Sequence, residues 1–150
     1  MFYGILPLTV YRTCYPLVTK VICRDSAAAI MGLTSKDAIP LLFYYDQGVV
    51  RYETNISNQE GYYTPIKVNN LKLYDTIELE SGVWCTNEEQ TICDMLAVDG
   101  DLHSLCETIA NYYFSHRENL TVLQEKAKTM GLQNELERIL PEALVIFDES

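Results

Sequence analysis

Residues 83–96, VWCTNEEQTICDML, hold the chain's densest group of chemically able side chains: adjacent carboxylates at Glu88 and Glu89, and thiols at Cys85 and Cys93. Three readings compete for them. General acid/base catalysis needs two groups facing one cleft with perturbed pKa values. A metal site needs close-spaced ligands, which His103 and Cys106 at i, i+3 could supply, with Cys93 joining across a helix pair. The third reading is a helix start: Thr86 as N-cap and Glu89 at the third helical position make a capping box, and Glu88 complements the helix dipole. Neighbouring helical residues do not share a face, so Glu88 and Glu89 are poorly placed as a catalytic pair. Cys106 falls on an apolar stripe, where a free cysteine behaves as a small hydrophobe. The helix start is the reading we adopt, with Ile92, Cys93 and Leu96 turned inward.

Other motifs are equally bland. Asp25-Ser26 beside Arg24 has no histidine partner in sequence, and a capping role suits it better. The chain contains no Walker loop, no GxGxxG and no GxSxG. We therefore expect no enzyme activity: no catalytic residue, no metal ligand and no cofactor-binding residue.

The elements that position these groups follow from periodicity. At 150 residues the chain is long enough for one domain with its own core. In DSAAAIMGL (25–33), Asp25 or Ser26 caps a short helix that Gly32 ends. The runs LLFYY (41–45) and GVVRYE (48–53), split by DQG, read as a hairpin. Alternation then continues through Ile66, Val68, Leu71, Leu73, Ile77 and Leu79, with turns at Asn69-Asn70 and Ser81-Gly82. The tyrosines at 44, 45, 52, 62 and 63 suit strands and the core rim. Past residue 86 the period changes. Leu102, Leu105, Cys106, Ile109, Ala110 and Tyr113 make one helical face started by Asp101. Asn119 caps the next helix, with Leu120, Leu123, Ala127 and Met130 inward and Gly131 at its end. Residues 134–147 contain Pro141, so this segment is kinked or split. The expected fold is a single α+β domain over 1–150, β-rich over 1–85 and helical over 86–147. Its sheet should be mainly antiparallel, carry one short helix and be covered by the C-terminal helices.

Charge bounds the partners. Residues 1–75 carry seven Lys/Arg and six Asp/Glu (+1), and residues 76–150 carry four and fifteen (−11), which together give the chain's −10. Such a second half repels phosphates, so the chain alone should not bind duplex DNA. Glu107, Glu118, Glu125, Glu135 and Glu137 are the expected partner-binding carboxylates, offered to a basic protein surface. Five cysteines without a C-x-x-C suggest reduced thiols and a cytoplasmic setting. No apolar run reaches the roughly 20 residues of a membrane span, and we read the start MFYGILPLTVYRTCYPL as part of the fold.

Two motifs in this order, VICRDSAAAIMGLTS (21–35) and VWCTNEEQTICDML, resemble the AbiEi family of antitoxins from abortive-infection systems. Ser26, Ala27, Gly32 and Leu33 match the family's first helix motif. Thr86, Glu89, Thr91, Ile92, Asp94, Met95 and Leu96 match its later helix start, while Gln90 stands for the motif's arginine and Met31 for its histidine. The likeness spans roughly residues 18–140. It implies a non-catalytic domain that counters a toxin enzyme, a nucleotidyltransferase in the family. Family members carry an N-terminal winged helix for operator DNA; this chain begins near the core domain, so the antitoxic part is the expected one. The alternative is an acidic phage- or plasmid-encoded inhibitor that fills the basic nucleic-acid groove of a defence nuclease, as an anti-CRISPR protein would.

Overall fold

β-Branched and aromatic runs in the first part of the chain build one five-stranded sheet, in the order β3-β2-β1-β5-β4. Its strands are β1 (Lys20–Ile22), β2 (Leu41–Tyr45), β3 (Tyr63–Lys67), β4 (Thr76–Glu80) and β5 (Val83–Thr86). This computed structural model describes residues 8, 10, 11, 19–48, 50, 62–80 and 82–148. Over residues 24–148 the described α-helices are α1 (Arg24–Ile30), α2 (Glu88–Ala97), α3 (Leu102–Ser115), α4 (Leu120–Thr129) and α5 (Gln133–Asp148), so the fold is α+β.

The sheet is mixed. β1–β2 and β4–β5 pair antiparallel, whereas β1–β5 and β2–β3 pair parallel. β2 lies between β1 and β3; most of the 48–53 segment expected to form a hairpin with it lies outside the described residues. One face of the sheet buries Ile22, Leu41, Phe43, Val83 and Cys85 with Val10 and Tyr11. Tyr11 donates to the Lys20 carbonyl and Tyr63 to the Val10 carbonyl, tying the early segment to the strands. The other face buries Val21, Cys23 and Tyr44 under Leu71 and Tyr74.

A single residue, Cys23, separates β1 from α1, and Arg24 completes the sharp turn with φ +51°. Ser26 is therefore inside the helix and does not cap it; the N-cap position, Cys23, has no side-chain bond. The Ser26 hydroxyl donates to the Ala38 carbonyl (2.7 Å), with the Pro40 carbonyl an alternative acceptor at 3.1 Å, and accepts from Leu42 N–H (2.8 Å), stitching the incoming strand to α1. Gly32 does end this helix. Its φ of +77° and the Leu33 N–H to Ala28 carbonyl bond make a Schellman motif, repeated at Gly131 with Leu132 and Ala127.

The start of α2 lies one residue later than expected. Asn87, not Thr86, is the N-cap, its Oδ1 accepting from Gln90 N–H at 2.8 Å. Thr86 ends β5 opposite Thr76, and its buried hydroxyl bonds Thr91 Oγ1 at 2.6 Å. Glu89 thus stands at the second helical position and forms no capping box; it accepts from the Tyr112 hydroxyl at 2.6 Å instead.

In the helical half, Ile92, Cys106, Ile109, Tyr112, Leu123, Ala127, Leu136, Ile139 and Ala143 share one core. Asp101 caps α3 as expected. Leu102, however, is 56% exposed, and Tyr112 rather than Tyr113 is the buried tyrosine. A 3-10 turn, Arg117–Asn119, leads into α4, so Asn119 precedes the helix without a side-chain cap bond. α5 runs unbroken through Pro141, which sits on its exposed face.

The cap assignment is testable. Asn87→Ala should cost about 1 kcal/mol and lower Tm by about 2–4 °C, with Asn87→Asp losing much less. A thermal melt identical to the unsubstituted chain would place the helix start elsewhere.

Candidate functional site

The structure separates the first group of reactive side chains. Glu89 is engaged by Tyr112, and Glu88 pairs with His116 at 3.5 Å, so the two carboxylates serve different neighbours. Burial pushes the Cys85 and Cys93 thiols up to about 12, and Cys23 and Cys106 upward as well. Thiols so protonated are inert as nucleophiles near neutral pH. Among the described residues no three His, Cys, Asp or Glu side chains are grouped to hold a metal ion, and no helix is long and apolar enough to cross a membrane.

The five expected partner-binding carboxylates separate into three kinds. Glu118, Glu125 and Glu137 are exposed on the helical half. Glu107 is not a free surface charge: its Oε1 accepts from the Thr34 hydroxyl at 2.7 Å and from the Ser35 N–H at 2.9 Å. Burial raises its pKa, but these bonds outweigh burial and hold the carboxyl below its ordinary value. It fastens α3 to the loop after α1. Glu135 is half-buried, and its Oε2 has no hydrogen-bond partner among the described residues.

Glu135 lines an open cleft of about 400 Å³ with Asp25, Asp99, Asp101 and Arg138, over a floor that includes Leu102, Leu105 and Ile139. Four carboxylates face one guanidinium there. Two are already engaged, since Lys36 pairs with Asp25 and Asp101, and Asp101 also holds the Ser104 N–H.

A second cleft, of about 340 Å³, opens on the other side of the Ala97–Val98 end of α2. Arg24, Tyr44, Gln90, Asp94 and Lys126 supply its polar groups, and Leu73, Tyr74, Val98 and Met130 its apolar wall. Arg24 donates from Nε to the Tyr44 hydroxyl at 3.2 Å. Gln90 links the neighbours: Oε1 accepts from Asp75 N–H at 3.1 Å, and Nε2 donates to Asp94 Oδ1 at 2.8 Å. Lys126 is closed by Asp75 at 2.8 Å. Asp94 is only 5% exposed, yet its Oδ2 has no hydrogen bond among the described residues. Burial raises its carboxyl above the ordinary range, against the pull of Gln90, Tyr44, Arg24 and Lys126.

In the sequence Asp94 stands only as a motif match and Arg24 as the neighbour of a cap. A buried-stripe pattern with a charge on it was the one available signal, because Asp94 follows Ile92 and Cys93 within the inward arc. No family model, no curated protein and no solved structure matches the chain. The class is therefore defined by the fold alone: an α+β protein with two open clefts at the end of α2.

The charge on Asp94 sets a pH test. Its folded pKa is raised, so the ionised carboxylate penalises the folded state at neutral pH, and the penalty fades as pH falls through that pKa. Asp94→Asn should raise Tm at pH 7, and the gain should disappear below the ordinary aspartate range. A loss of stability at pH 7 would show that Arg24 and Lys126 fully offset the buried charge.

Proposed function

We propose that this chain is a non-catalytic, AbiEi-like antitoxin of the cytoplasm that counters a toxin enzyme, a nucleotidyltransferase, by protein–protein contact. One observation carries the reading. The two resembling motifs, some fifty residues apart in sequence, form one packed unit, with Ala28 and Leu33 of the first against Met95 of the second. Their residues also line both clefts, through Arg24 and Asp25 at the start of α1 and Asp94 to Leu96 in α2. Motif residues that share a core and surround the open surfaces suit a domain built around that pairing.

The acidic surface favours a second reading, an inhibitor that fills the basic groove of a defence nuclease. Glu118, Glu125 and Glu137 project from the helical half, and Asp99 and Glu135 add charge in the cleft beside α5. Such charges chiefly steer association. They also argue against duplex DNA as a ligand.

Co-expression with a nucleotidyltransferase toxin of the AbiE type should restore growth of the toxin-poisoned host, with both proteins co-purifying. A toxin that stays active in the presence of folded chain removes the antitoxin reading. Reversing Glu118, Glu125 and Glu137 to lysine separates the two proposals, since exposed charges barely affect folding. The triple variant should still neutralise the toxin if the first reading holds. If the second holds, it should slow association with a basic nuclease and flatten the salt dependence of inhibition.

A further inference from the structure

An acceptor buried without a hydrogen bond costs roughly 1–3 kcal/mol, and Asp94 Oδ2 is such an acceptor at the floor of the cleft beside Tyr44. Gln90 Nε2 serves Oδ1, and the Tyr44 hydroxyl, which accepts from Arg24, has its own proton near the carboxylate but makes no hydrogen bond to Oδ2. Arg24 is the complementary case. It uses Nε on Tyr44, while Nη1 and Nη2 make no hydrogen bond among the described residues. A carboxylate and a guanidinium thus face one cleft, each with unused capacity and no ion pair between them.

The backbone supports the same reading. Arg24 adopts φ +51°, a conformation that costs a non-glycine residue about 1 kcal/mol or more. The cavity, about 340 Å³, lies at the small end of ligand sites, which run roughly 300–1,000 Å³.

We propose that this cleft binds a free α-amino acid with an apolar side chain. The ligand carboxylate takes the Arg24 Nη1 and Nη2 fork, the ammonium donates to Asp94 Oδ2, and the side chain lies against Leu73, Val98 and Met130. A simple cation is opposed by Arg24 and Lys126. A simple anion uses the fork but gives Oδ2 no donor and meets the Asp94 charge. A ligand carrying both charges on one short skeleton satisfies both groups, and the planar guanidinium matches a carboxylate with two parallel bonds. A peptide terminus offers only one of the two charges. This inference concerns a different cleft from the acidic one beside α5 and needs no protein partner.

The test uses the full chain and six free amino acids: alanine, valine, leucine, isoleucine, methionine and phenylalanine, each at millimolar concentration. At least one should raise Tm and give saturable binding by calorimetry. Its primary amide, lacking the carboxylate, and its deaminated acid, lacking the ammonium, should each bind at least about tenfold more weakly. Asp94→Asn and Arg24→Gln should weaken binding by a similar factor while still melting cooperatively. If either variant fails to fold, the two analogues on the unsubstituted chain decide the question. Equal binding of an analogue, unchanged binding by a folded variant, or no saturable binding by any of the six overturns the proposal. Neutralisation of a toxin is unaffected by that outcome, so the two readings fail separately.

Discussion

The burial of α2 around nearly its whole circumference is the constraint on which the rest of the fold depends. Gln90, Thr91, Ile92, Cys93, Asp94 and Met95 are six consecutive buried residues, more than one full turn. Met95 meets Ala28 and Leu33 from the sheet half, while Ile92 and Cys93 join the core of the helical half. A helix so placed cannot leave its polar side chains to water. Each needs a partner inside the protein, and those partners determine how the two halves meet.

Most of the partners are present. Thr91 bonds Thr86 at the end of β5, Glu89 takes the Tyr112 hydroxyl from α3, and Gln90 holds the Asp75 amide ahead of β4. The Asn119 carbonyl lies 2.8 Å from the same Tyr112 hydroxyl, whose one proton it shares with Glu89 at the turn into α4. Hydrogen bonds of this kind contribute about 1 kcal/mol each when made. Their directional demand matters more than that sum, because a slipped α2 would strand several buried groups at once. Glu107 performs the equivalent task on the neighbouring surface by holding the Thr34–Ser35 loop.

Local signals in the sequence revealed what local physics determines. The Asp101 cap, the glycines at 32 and 131, and the stripe from Leu120 through Leu123, Ala127 and Met130 all depend on residues within one or two turns. The failures have non-local causes. Thr86 and Asn87 are both competent caps, and pairing with Thr76 in β4 decides for Asn87 by keeping Thr86 in the strand. Ser26 is taken from a capping role by carbonyls a dozen or more residues away. Parallel pairing of β1 with β5 and of β2 with β3 brings together segments some twenty to sixty residues apart, which alternation within a strand cannot specify. The Asp94 cleft was least legible of all, since positions 24, 44, 74, 90, 94 and 126 converge only after folding.

That convergence also accounts for the strained residue at the start of α1. β1 ends at Ile22, buried in the sheet, and α1 must begin at once to bring Ala27 onto the sheet core and Ala28 against Met95. One intervening residue leaves no length for a capped entry, so the turn closes through a left-handed Arg24. A glycine would meet that backbone demand without strain. Arginine meets it at a cost and adds a guanidinium stacked over Tyr44, 5.5 Å from the ring centroid, beside a buried carboxylate. Strain at Arg24 and an unmet hydrogen bond at Asp94 are two separate departures from a stability optimum. Both lie on the same cleft. Stability alone favours glycine at the first position and a neutral side chain at the second, so neither Arg24 nor Asp94 is the residue that holding the fold requires.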